Sequence, residues 1–184
     1  MKFSDPRKLA DGRYFVKTVS DDDGRVFAQL NNTLLVTPFA EGDSVTLDVN
    51  SPVALDGIDT EILAAAQENS TSWFGREVHE KTISNAYRRS LVNNTITVSK
   101  FKNVKAFDAS KEVIDPLELT ADVKCDVVVE LVGLTFMKKT FEANWRIVQI
   151  RKKRDPPKKF YEQYLFTDDP EEAEEADEEE DDCL

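Results

Sequence analysis

Cationic and aromatic side chains are concentrated in one stretch near the end of the chain. Between Lys138 and Lys159 the sequence holds nine basic residues and only two acidic ones, Glu142 and Asp155. Cations that follow a phosphate backbone, mixed with flat rings on which bases stack, are typical of proteins that bind single-stranded nucleic acid irrespective of its sequence. We therefore predict phosphate contacts from Lys138, Lys139, Arg146, Arg151, Lys152, Lys153, Arg154, Lys158 and Lys159. The run 151–154 alone could equally be a nuclear-localisation cluster or a solvated loop.

Five aromatic residues are the candidates for stacking on bases: Phe141, Trp145, Tyr161, Trp73 and Phe74. Trp73 and Phe74 are adjacent in the polar loop 70–75, ahead of Arg76, and two large neighbouring rings cannot easily both point inward. We predict that the two rings contact a base or a partner protein, and that Arg76 contacts DNA. Strand alternation places Trp145 on one face and Val148 and Ile150 on the other. Since one face must be core, the sequence leaves open whether Trp145 stacks or is buried.

The residues that enzymes use are sparse. His79 is the only histidine, and it lies among charged neighbours on a predicted helix. A zinc site or a nucleophile–histidine pair would need more ligands or partners than this chain offers. The glycines form no phosphate-binding loop, and the run 21–23 of three aspartates is expected to be a solvated turn rather than a magnesium site. We predict a non-enzymatic protein without a metal or cofactor.

The acidic residues have a different distribution from the basic ones. The net charge is −12, and 12 acidic residues without a single basic one fill 168–182, so residues 1–167 hold 24 of each sign. Such a polar segment cannot bury enough apolar surface to fold, which predicts a disordered acidic tail that binds partner proteins or acts as a solubility device. The candidate partner-binding residues are Asp168, Asp169, Glu178, Glu179, Glu180, Asp181, Asp182 and Leu184.

Length and composition predict one intracellular domain. The 167 residues ahead of the tail match the usual size of a single domain with its own core. The chain has two cysteines, no run long enough for a membrane helix and no apolar leader, which indicates a reducing compartment. We expect it inside the cell, not secreted and away from membranes.

Hydrophobic periodicity predicts strands, then two helices, then strands. Strands are expected at 13–19 and 25–30, as a hairpin around an Asp-Gly turn, and again at 33–36 and 44–49. A helical insertion at about 59–91 precedes a strand from 95. Two long alternating strands, 121–136 and 141–151, then form a hairpin, and Gly133 in the first indicates a bulge or a close backbone approach.

The pattern is mainly β with a helical insertion (β+α). It predicts a five-stranded Greek-key barrel of the oligonucleotide-binding (OB) type over residues 1–167, followed by the disordered acidic tail 168–184; a β-sandwich fits the same pattern nearly as well.

Two segments resemble a known family. The run from Glu130 to Arg151 is similar to the last hairpin of single-stranded DNA-binding proteins of large double-stranded DNA viruses, and 72–76 resembles a segment of the same group. The resemblance covers about 72–151 and the tail. It implies an OB barrel with an acidic tail, and a role in viral DNA replication, recombination or repair in which the tail recruits replication proteins. It also implies a location in the host nucleus or at a cytoplasmic replication site. Replicative binders of phages usually end in an aromatic residue, whereas Leu184 takes that place here.

Two hypotheses follow. The first is a protein that binds single-stranded DNA, with a homodimer allowed. The second is an acidic-tailed β-sandwich that binds basic proteins, in the manner of a histone chaperone or a virion packaging factor. Basic residues that converge on one groove would favour the first, and scattered basic residues with converging acids would favour the second.

Overall fold

The computed structural model describes residues 1–154. The elements are β1 (Lys2–Phe3), β2 (Arg7–Lys8), β3 (Tyr14–Val19), β4 (Val26–Leu35), β5 (Ser44–Asp48), α1 (Val53–Glu68), α2 (Ser70–Phe74), α3 (Glu80–Ala86), β6 (Tyr87–Arg88), β7 (Thr95–Phe107), β8 (Val113–Ile114), β9 (Lys124–Phe136) and β10 (Phe141–Lys152). The prediction of a mainly β fold with a helical insertion is confirmed.

Five strands close into a ring. Strand β4 pairs with β5, β5 with β7, β7 with β10, β10 with β9, and β9 again with β4. Among these barrel strands, only β7 and β10 run parallel. If the five ring strands β4, β5, β7, β9 and β10 are numbered 1 to 5 in chain order, their order around the ring is 1-2-3-5-4-1. This is the arrangement of an OB barrel. Because the ring is closed, the architecture is a barrel and not a pair of stacked sheets.

Alternating residues fill the barrel. Along β4, the side chains of Val26, Ala28 and Leu30 are buried, whereas Phe27 and Gln29 between them are exposed. The same period of two makes β9 and β10 the best predicted elements, with observed bounds within three residues of the expected ones. The buried face of each strand therefore fixes which residues remain outside.

The prediction that β3 and β4 form a hairpin around the Asp-Gly turn is wrong. The turn forms, since the Ser20 amide donates to the carbonyl of Gly24 at 3.0 Å. However, β3 and β4 both pair antiparallel with β9, β4 along its first part and β3 along its last part. The two strands thus run in the same direction beside one long neighbour, a non-local pairing that a local turn signal cannot reveal.

The helical insertion lies between the second and third barrel strands. Helix α1 buries a stripe at helical spacing, formed by Leu55, Asp59, Ile62 and Ala66. The last helix of the insertion ends earlier than the predicted boundary at about 91. Only Glu80–Ala86 is helical, because Tyr87 leaves the helix to pair with Phe141 of β10. Its ring packs on Phe141 with the centroids 5.0 Å apart.

Gly133 allows strand β3 to approach β9 closely. A Cβ atom at this position would lie 2.3 Å from the carbonyl oxygen of Val16 and 2.6 Å from the nearest atom of the Phe15 ring. The pairing of β9 with β10 also shifts register next to Gly133. The expected bulge and close approach are both confirmed.

Candidate nucleic-acid interface

An exposed aromatic residue marks the outer surface of the barrel. Phe27 points away from the core and is 51% exposed. It lines a groove of about 400 Å³ together with Arg25 from the same part of the chain, Phe101 and Lys105 from β7, and apolar residues of β9 and β10. Within residues 1–154, no acidic side chain lines this groove. We call it the Phe27 groove.

Arg146 of β10 is held by Glu130 beside Phe101, one of the residues that line the Phe27 groove. Its Nε and Nη2 atoms donate to the two carboxylate oxygens of Glu130 at 2.9 and 3.0 Å. Its guanidinium lies over the Phe101 ring, with Cζ 4.7 Å from the centroid. Arg25 adds a second cation, 3.7 Å from the same carboxylate. Glu130, 5% exposed, therefore has more positive than negative charge around it.

Asp126, further along β9, is paired in a similar way. Arg151 donates to this carboxylate, Lys153 lies 3.2 Å from it, and the Asn32 amide donates to it at 2.9 Å. Burial alone would raise the pKa of Asp126, but these hydrogen bonds lower the pKa below its ordinary value. Arg151 and Lys153, both predicted to contact phosphates, are thus already partnered by a buried carboxylate.

A second concave surface brings together five of the predicted residues. Trp73, Phe74, Arg76, Lys138 and Lys139 line a cleft of about 650 Å³ between α2 and the turn that joins β9 to β10. The three cations are exposed, and no acidic residue within 1–154 lines this cleft. Trp73 and Phe74 are half-buried and packed edge-on against Phe136, so they form the cleft's floor and not free-standing rings. We call this surface the hairpin cleft.

A third hollow lies between the other two along β10. It is lined by Arg88 and Arg89 from the end of the helical insertion, and by Asn144 and Arg146 of β10. Arg88 lies 3.5 Å from Glu142, and Arg89 lies 3.9 Å from Asp56. Since both arginines are largely exposed, these surface pairs hold them weakly.

The structure corrects the stacking roles predicted for Trp145 and Phe141. Trp145 is 5% exposed and Phe141 is 1% exposed, so neither ring offers a face to a base. The Trp145 indole donates to the Ser90 hydroxyl at 2.9 Å, and that hydroxyl donates to the buried Asp59 at 2.6 Å. Phe141 stacks against Phe136 at 5.1 Å in the core. Both residues belong to the core that shapes the surface.

Several residues of the interface were missed by the sequence reasoning: Arg25, Phe27, Arg88, Arg89, Phe101 and Lys105. The signal for Phe27 was present, because alternation with buried Val26 and Ala28 places it outside. The partnership with Phe101 depends on the closure of the barrel and has no local signature.

The remaining predicted residues divide into two groups. Lys152 is half-buried and Arg154 is exposed at the end of β10. Lys158, Lys159, Tyr161, the tail residues and the predicted boundary at 167 lie outside the described residues. Among residues 1–154, no cluster of metal-ligating side chains occurs, and no helix is long and apolar enough to cross a membrane.

A family model matches residues 32–168, which is most of the chain. It is described as a family of unknown function, DUF5871. The chain belongs to this family. No curated protein matches the sequence.

Solved structures similar to this DUF5871 member are single-stranded DNA-binding proteins from bacteriophage Enc34. One structure of this phage protein is 15% identical, with 95% of this chain and 99% of that chain covered and a TM-score of 0.48. A form with a C-terminal truncation is 12% identical, with 84% and 96% covered and a TM-score of 0.47. A complex with single-stranded DNA is 12% identical, with 86% and 98% covered and a TM-score of 0.46. The resemblance to proteins of large double-stranded DNA viruses stays a prediction.

Proposed function

We propose that this protein is a non-enzymatic single-stranded DNA-binding protein, and that the DNA lies along the outer side of β10. The Phe27 groove carries the proposal. A half-exposed phenylalanine lines this groove together with Arg25 and Lys105, on a barrel whose fold is widely used to bind oligonucleotides. A flat apolar ring flanked by cations meets both needs of single-strand binding, stacking and phosphate neutralisation.

The three hollows support a path for the strand. Arg76, Lys138 and Lys139 would hold phosphates in the hairpin cleft, Arg88 and Arg89 in the middle, and Arg25 and Lys105 beside Phe27. Strand β10 has 12 residues, which corresponds to a length of about 40 Å. Within residues 1–154, no acidic side chain lines the hairpin cleft or the Phe27 groove, whereas Glu142 is the one acid of the middle hollow. This excess of cations over acids favours the binding of DNA over the binding of basic proteins.

The biological role is also proposed. A sequence-tolerant binder of this kind would protect single strands during viral DNA replication, recombination or repair at an intracellular replication site. The acidic residues from Asp168 onward would recruit replication proteins, since a polyanion is suited to basic partners.

The proposed function predicts a definite salt dependence. If four to six of these cations contact phosphates, log K plotted against log[salt] should have a slope of about −3 to −4, since each contact on a single strand contributes about −0.7. Fluorescence titration of a labelled dT oligomer at several salt concentrations measures this slope. An affinity that does not change with salt, or no binding at low salt, would rule out the proposed function.

Stacking at Phe27 predicts a loss of affinity without a loss of stability. Phe27→Ala should weaken binding of a dT oligomer by about 1–3 kcal/mol, because the base loses its ring. The midpoint of thermal unfolding should hardly change, because Phe27 is exposed on the barrel surface. Val53→Ala is the matched control, since Val53 is an exposed apolar residue that lines none of the three hollows. Equal affinities for Phe27→Ala and Val53→Ala would remove Phe27 from the interface.

A further inference from the structure

We propose that Arg146 is a base-stacking surface rather than a phosphate ligand, and that Glu130 is the positioning residue that makes it one. The inference deepens the proposed function and rests on it. It replaces the phosphate role that the sequence predicts for Arg146. The argument depends on which parts of the guanidinium are already engaged.

One edge of the Arg146 guanidinium is engaged by Glu130. The two residues are cross-strand neighbours on β10 and β9, and Phe27 on β4 is the neighbour of Glu130 on its other side. A side-on pair of hydrogen bonds, at 2.9 and 3.0 Å, fixes the plane of the guanidinium as well as its position. Because Glu130 is buried, this orientation is maintained by the barrel itself.

One face of the guanidinium is engaged by Phe101. The ring lies 4.7 Å from Cζ, a distance at which an arginine packs on an aromatic face. Arg146 therefore covers part of Phe101 and replaces it as the outer flat surface. The Arg146 side chain is 26% exposed, and its free side opens into the hollow beside β10. Bases stack on arginine planes as they do on aromatic rings.

The charge balance argues against a side-on phosphate contact. A phosphate could take the Nε and Nη2 donors of Arg146 only by displacing the buried Glu130 carboxylate, which would keep only the more distant Arg25, at 3.7 Å, and such a loss of pairing is unfavourable for a buried charge. Lys105 has no such constraint, because it is exposed on the acid-free Phe27 groove. The two cations should thus contribute differently: Arg146 through the base, and Lys105 through the phosphate.

Two oligomers separate these roles: a dT oligomer, and an abasic oligomer of equal length with the same phosphates. Arg146→Lys keeps the positive charge and removes the flat guanidinium group. It should lower the affinity for the dT oligomer about tenfold, leave that for the abasic oligomer within about twofold, and keep the salt slope. Lys105→Gln is the matched control. It should lower the affinity for both oligomers equally and reduce the magnitude of the salt slope by about 0.7.

A second variant tests Glu130 directly. Glu130→Gln removes the negative charge while keeping an oxygen near Arg146, so it should free the guanidinium for phosphate and steepen the salt slope by about 0.7. A structural role alone would not add a phosphate contact. This readout also remains available if Arg146→Lys folds poorly.

The outcomes are distinct. Equal losses on both oligomers for Arg146→Lys, no loss on either, or an unchanged slope for Glu130→Gln would overturn the stacking role and leave the proposed function intact. Failure of the unmodified protein to bind either oligomer at low salt would instead overturn the proposed function.

Discussion

Replacing Trp145 with alanine should lower the free energy of unfolding by about 3–5 kcal/mol, which is the usual cost of truncating a buried tryptophan. The indole is enclosed in the core, and its N–H group donates to the Ser90 hydroxyl at 2.9 Å. The alanine variant therefore loses this hydrogen bond as well as the buried ring. Denaturant unfolding followed by circular dichroism measures the change. The midpoint of thermal unfolding should fall by roughly 10 °C in a domain of this size.

Trp145→Phe separates the two contributions. It keeps one buried ring and removes the second ring together with its N–H donor, so it should cost less than the alanine variant, about 2 kcal/mol. Ser90 still donates to Asp59 in that variant, which keeps helix α1 attached to the segment that follows β6. A cost below 1 kcal/mol for Trp145→Ala, combined with a loss of DNA binding, would show that Trp145 stacks on bases after all.

The position of Trp145 illustrates where a sequence pattern stops being sufficient. Strict alternation requires Trp145 and Ile150 to lie on opposite faces of one strand. Both are buried, because the pairing of β10 shifts register between Ile147 and Gln149. The shift places an extra residue in the strand and reverses the phase of the alternation beyond it. Sequence alone gives no sign of such a bulge. The assumption that only one of Trp145 and Ile150 can be buried was therefore wrong.

The barrel itself was predictable because its long strands each bury one face. In β9, the buried residues Cys125, Val127, Val129 and Leu131 repeat every second position, and this repeat survives in the sequence. Ring closure, in contrast, depends on the parallel contact of β7 with β10 and on the antiparallel contact of β4 with β9. Those contacts join residues that are far apart in the chain and have no local signature.

The same distinction explains the interface. The basic stretch drew attention to β10, and the hairpin cleft does collect five predicted residues. Within the described part of that stretch, however, Arg146, Arg151 and Lys153 are paired with Glu130 or Asp126, two acids that precede it in the sequence. Counting charges along the chain cannot reveal that a neighbouring strand supplies their partners. The acid-free Phe27 groove is likewise assembled from β4 and β7, which lie outside the basic stretch.

Gly133→Ala should destabilise the protein by about 3 kcal/mol, through steric overlap between two strands. The added Cβ would lie 2.3 Å from a backbone oxygen, that of Val16, and 2.6 Å from the Phe15 ring. The ring can rotate away, but the carbonyl belongs to the paired strand β3, whose register with β9 places Lys17 opposite Gly133. Relief would therefore require β3 to move off β9. Denaturant unfolding of the variant measures the cost.

Gly57→Ala is the matched control, because Gly57 lies inside α1 and an added Cβ would meet nothing within 4 Å. Alanine should raise the free energy of unfolding there by up to about 1 kcal/mol, since glycine is a poor helix former. The two alanine variants should thus change stability in opposite directions. If Gly133→Ala unfolds at the same denaturant concentration as the unmodified protein, β3 does not lie this close to β9. The extension of β9 and β10 that carries Lys138 and Lys139 would then be held by other contacts, and the hairpin cleft would need a different structural basis.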